Sequence, residues 1–84
     1  MNKFYMKGYR KERKLVNDAR AKGHLSFRSA GSHSPVDVII IDPIEAKVEL
    51  IQSKAGDLSP GERLKILKDN AYLDGIYQIE FKLI

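Results

Sequence analysis

The chain has 84 residues, no cysteine, and a formal net charge of +4 from 15 Lys/Arg against 11 Asp/Glu. That length allows one domain over residues 1–84 with a small core, and chains this short often gain stability by self-association. The missing cysteine excludes disulfides and thiolate zinc sites, no apolar run approaches the length of a membrane span, and the start lacks a signal-peptide h-region, so an intracellular protein is the default expectation.

Residues 1–7 read as a loose basic arm ending near Gly8. From residue 9 to residue 21 the pattern is helical, with Leu15, Val16 and Ala19 as the apolar stripe. Residues 1–22 hold eight Lys/Arg and two acids, whereas the remainder holds seven basic and nine acidic residues. A basic first third on a slightly acidic body suggests a polyanion-facing surface, although a solvated basic helix fits the charge equally well. Glu12 lies three and four residues before Leu15 and Val16, so it shares their inward face. An acid there must be paired or bind a metal, and an ion pair with Arg13 or Arg28 competes evenly with a metal role.

Gly23 stops the helix as the residue just past its end. Residues 24–29 alternate as a short strand, with Leu25 and Phe27 expected inward and Ser26 and Arg28 on the other face. The small, hydroxylated residues 30–35 form a loop that could hold Ser32 and local amides near a phosphate, or be a plain turn. Two β-type runs follow, residues 36–42 and 47–54, around the turn signal Asp42-Pro43, which predicts a hairpin turning over residues 43–46. Asp37 opens the first strand, and Gln52 and Lys54 end the second on the face of Val48 and Leu50. The hairpin therefore gathers a carboxylate, an amide oxygen and an ammonium at one end of the sheet, which suggests a divalent-metal site with a cationic helper.

After a loop at residues 55–58, Ser59-Pro60-Gly61-Glu62 has the form of a capping box. The helix it opens is expected to run to about Tyr72 and to bury Leu64, Leu67 and Ala71. Residues 76–84 alternate again, with Tyr77, Ile79, Phe81 and Leu83 opposite Gln78, Glu80 and Lys82, and predict a fourth strand. The order α-β-β-β-α-β makes this an α/β or α+β fold, a small mixed sheet flanked by helices.

With Glu12, the loop after Arg28, Asp37 and the Gln52-Ser53-Lys54 run in place, the chain resembles the PD-(D/E)xK nuclease superfamily, and within it the archaeal-type Holliday junction resolvases and their small viral relatives. The likeness covers about residues 7–55, and the later helix and strand agree with the family's αβββαβ, restriction-endonuclease-like core. Gly8-Tyr9-Arg10-Lys11-Glu12-Arg13 resembles the family's helix-opening motif. Phe27-Arg28-Ser29-Ala30-Gly31-Ser32 resembles its Arg-x-x-Gly-Ser loop, Val36-Asp37 its metal-binding aspartate, and Gln52-Ser53-Lys54 its terminal motif. Proline stands at 35, one residue early, and Gln52 stands where the motif name has an acid.

The resemblance implies a Mg²⁺-dependent endonuclease, with Mn²⁺ able to substitute, cutting branched DNA such as four-way junctions. Asp37, Gln52, the Ser53 carbonyl and Glu12 would hold or neighbour the metal, Lys54 would orient the attacking water, and Ser32 would contact the scissile phosphate. Lys7, Arg10, Arg13, Arg28 and Ser32 would grip DNA, and a homodimer would cut two strands symmetrically. The alternatives are another structure-specific or single-strand nuclease, or a DNA-binding module without catalysis.

Overall fold

The computed structural model describes residues 3–29, 34–53 and 58–84, the side chains of residues 3–8 excepted. Helix α1 spans Lys3–Ala21, so the stretch expected as a loose arm begins the helix instead. Lys and Met favour helix, and the roughly 1 kcal/mol that Gly8 costs is spread over a long element. The C-terminal stop is as the sequence predicts. Gly23 takes φ +84, and its N–H and that of His24 donate to the Arg20 and Ala19 carbonyls, the pairing of a Schellman cap.

Three strands follow, β1 at Leu25–Arg28, β2 at Val38–Asp42 and β3 at Lys47–Ile51. They form an antiparallel meander in the order β1-β2-β3. The hairpin joining β2 to β3 turns over residues 43–46, as expected. Asp42 builds this turn, its Oδ1 accepting from the Ile44 and Glu45 amides at 2.9 and 3.1 Å. These backbone donors hold its carboxyl below the usual range, the Glu45 amide foremost, with help from His24 and Lys47. Ala46 closes the turn at φ 55, a left-handed conformation that glycine would adopt without steric cost.

Register fixes the two faces of the sheet. Ser26 opposes Ile40 and Arg28 opposes Val38, whereas Phe27 opposes Ile39 and Ile39 opposes Leu50. Helix α1 covers the first face, where Val16, Ala19, Val38 and Ser26 are buried. The inward residues of β1 are thus Ser26 and Arg28, the reverse of the expectation. Leu25 and Phe27 are 59 % and 42 % exposed. The inversion is affordable because the polar groups find partners. Ser26 Oγ donates to the Ile39 carbonyl at 2.9 Å, and Arg20 Nε donates to the Ser26 carbonyl. In β2, Ile39, Ile40 and Ile41 place apolar groups on both faces, so the pattern could not choose between them.

Helix α2 spans Pro60–Asp69 and is capped by Ser59, whose Oγ accepts from the Glu62 amide. It ends before Tyr72, and a 3₁₀ turn at Ala71–Leu73 follows. Leu64 and Leu67, expected in the core, are exposed. Residues 76–84 form no strand. The described architecture is therefore a small α+β domain with two helices and a three-stranded antiparallel sheet, and not the mixed four-stranded sheet expected. A fourth strand needs a ladder partner, and periodicity alone supplies none.

Candidate active site

The hairpin brings Asp37 to the end of β3. The Asp37 amide donates to the Ile51 carbonyl at 2.8 Å, and Asp37 Oδ2 accepts from the Ser53 amide at 2.8 Å. One carboxylate oxygen is thus fixed by backbone. Ser29 secures the strand from the other side, its amide donating to the Asp37 carbonyl and its hydroxyl to the Val36 carbonyl. Sequence reasoning gave Ser29 no role, although it lies inside the loop motif. Beside Asp37, the Ser53 hydroxyl is buried and has no hydrogen-bond partner among the described residues, an arrangement that costs about 1–3 kcal/mol where it stays unmet.

Gln52 borders a cleft of about 280 Å³ between β3 and α2, in company with Val48, Leu50, Ile66, Leu67 and Tyr77. The Asp37 carboxylate, the Gln52 amide and the Ser53 carbonyl lie at this end of the hairpin, but neither Asp37 nor Ser53 borders the cleft that Gln52 lines. Among the described residues, no three His, Cys, Asp or Glu side chains gather as a metal-binding group. Lys54 and Ser32 lie outside the described residues.

Glu12 has a different partner. Arg28 Nε and Nη2 both donate to Glu12 Oε2 at 2.8 Å, the ion pair weighed as the rival to a metal role. The Arg28 guanidinium also lies 4.4 Å from the centre of the Tyr9 ring. Tyr9 sits one turn before Glu12 on the same helix face, a spacing that could have flagged it. No hydrogen bond or ion pair among the described residues joins this cluster to Asp37.

On the outer side of α1 and β1 an open groove of about 400 Å³ is bordered by Tyr9, Arg13, Arg20, Phe27 and Arg28. Arg10 is exposed on α1, and Lys7 lies on the same helix. Arg20 and Phe27 were not among the expected DNA contacts. Arg20 recurs seven residues after Arg13, two turns along the helix, which was the available signal.

No helix among the described residues is long and apolar enough to cross a membrane. Compared with protein-family models, curated proteins and solved structures, the chain matches none.

Proposed function

We propose that the chain is a metal-dependent endonuclease acting on branched DNA inside the cell, of the PD-(D/E)xK kind. The observation that carries this reading is the meeting of Asp37 with the end of β3, where Asp37 Oδ2 is held by the Ser53 amide and the buried Ser53 hydroxyl has no partner among the described residues.

Asp37, the Gln52 amide oxygen and the Ser53 carbonyl are the residues that would hold Mg²⁺ or Mn²⁺. Such an ion supplies an acidified water and neutralises charge developing on the phosphate. The chain's own part is positional. The Ser53 amide fixes the rotamer of Asp37, Lys54 supplies a cation for the attacking water and the charged transition state, and Ser32 donates to the phosphate. Arg13 and Arg28 in the groove, with Lys7 and Arg10 on α1, bind the DNA backbone without reading bases. Glu12 holds Arg28 in place through their ion pair.

That ion pair also favours a second reading, a DNA-binding module without catalysis, because Glu12 is already engaged by Arg28. Labelled four-way junction, duplex and single-stranded DNA, each incubated with Mg²⁺, Mn²⁺ or EDTA, separates the two. Paired metal-dependent cuts in the junction, lost in Asp37→Ala and Lys54→Ala, are the expected result. Tight binding with no cleavage under any metal supports the module, and neither binding nor cleavage overturns both.

A further inference from the structure

One face of the sheet is only partly covered, with α2 and Tyr77 standing across a cleft from Val48 and Leu50. Leu25, Phe27, Ile39, Ile41, Val48 and Leu50 share this face by register, and Leu25, Phe27 and Leu50 are exposed. The outer edge of β3 has no ladder partner among the described residues. A sheet edge of this kind, beside an apolar face, is a template for another strand. The same chain carries an unused strand. Residues 77–83 alternate strictly, yet Phe81 and Leu83 are each 94 % exposed. The Tyr77 hydroxyl donates to the Leu73 carbonyl, which ties the start of this segment to the 3₁₀ turn, while the rest pairs with no strand among the described residues.

We propose that residues 76–84 of one chain add as a strand to the free edge of β3 in a second copy, and that the exchange is reciprocal about a two-fold axis. The faces agree. Laid beside β3, the segment would add Tyr77, Ile79, Phe81 and Leu83 to the apolar face of Val48 and Leu50. Gln78, Glu80 and Lys82 would then fall beside Lys47 and Glu49, where opposite charges can pair across the strands. The two-fold operation lets one pair of surfaces satisfy both copies.

A strand added at an edge extends the apolar face and does not cover it, so the gain is the pairing of a free backbone edge and the lateral contact of its side chains with Val48 and Leu50. This inference does not depend on the nuclease reading, because its readout is chain association and not cleavage.

The test uses the full chain. Light scattering on a sizing column at about 100 µM should give twice the 9.5 kDa chain mass. Phe81→Lys should run at the single-chain mass with its helical circular dichroism retained. Because the chain has no cysteine, a second measurement is clean. Chains bearing Glu49→Cys and differently tagged chains bearing Glu80→Cys, refolded together and treated with a short bis-maleimide, should give a mixed two-chain product. A wild-type chain at single mass, a Phe81→Lys variant that stays dimeric, or a dimer without the mixed product would each overturn the proposal. So would cross-linking within a single chain bearing both cysteines, which would place the segment on its own β3.

Discussion

Removing Arg28 should damage the fold more than removing Glu12, although the two form one ion pair. The pair meets at 2.8 Å, and the Glu12 and Arg28 side chains are 16 % and 37 % exposed. Bare Coulomb attraction at that distance is about 6 kcal/mol at an effective dielectric of 20 and about 1.5 kcal/mol in water. Desolvation and the ordering of two long side chains offset most of it. A net coupling of about 1–2 kcal/mol remains, above the roughly 0.2–1 kcal/mol of fully exposed pairs. Arg28→Met leaves the carboxylate unpaired on the inner face of α1, which should cost about 2–3 kcal/mol. Glu12→Gln keeps an acceptor for the guanidinium, which also stays against Tyr9 and can reach water, so its cost should be about 1 kcal/mol. For a chain of this size those losses correspond to Tm drops of roughly 10–20 °C and 4–8 °C. Urea unfolding of wild type, both single variants and the double variant at neutral pH, followed by circular dichroism, gives the cycle. A coupling below about 0.3 kcal/mol, or a Glu12→Gln cost equal to that of Arg28→Met, would refute the reasoning.

Gln52→Glu should lower the Mg²⁺ concentration at half-maximal cleavage, because the ion prefers charged oxygens; identical titrations by two equally well-folded proteins would remove Gln52 from the site. DNA affinity should fall about 40- to 150-fold between about 50 and 200 mM salt if three or four cations among Lys7, Arg10, Arg13 and Arg28 contact phosphates, and a binding titration flat in salt would contradict this. The lowered carboxyl of Asp42 makes its contribution to stability present above the ordinary Asp pKa and lost as pH falls through the folded value. Asp42→Asn should therefore shrink the acid-induced loss of stability, read from urea midpoints across an acid series.

The features visible in the sequence were those whose cause is local. Asp42-Pro43 marks a turn because the aspartate side chain reaches its own backbone two and three residues on. Gly23 and Ser59 mark helix ends for similarly short-range reasons. Hairpin register led to the expectation of Asp37 beside Gln52 and Lys54; the structure brings the Asp37 carboxylate to the Ser53 amide, and Lys54 lies outside the described residues. What misled was non-local. A four-residue strand presents two faces, and only the packing of α1 decides which turns inward, so Ser26 and Arg28 were placed outside. Glu12 was correctly put on the inner face of α1, and its choice between Arg28 and a metal could not be read from spacing. For α2 and residues 76–84, amphipathic alternation marked surfaces fit for burial, but burial needs an opposing surface that no periodicity names.

The meander has a kinetic consequence. Each pairing in the sheet joins strands consecutive in the chain, and the β2–β3 link is only the turn at residues 43–46. Such low contact order favours rapid folding, with hairpin closure on the order of 1–10 µs. A strand supplied by a second molecule has no such tether, and its arrival time depends on encounter. A newly made chain in dilute surroundings would therefore finish its helix and hairpins first and wait with the outer edge of β3 unpaired. The length of that wait, and the risk of a wrong strand filling the place, would be set by how many other copies are near.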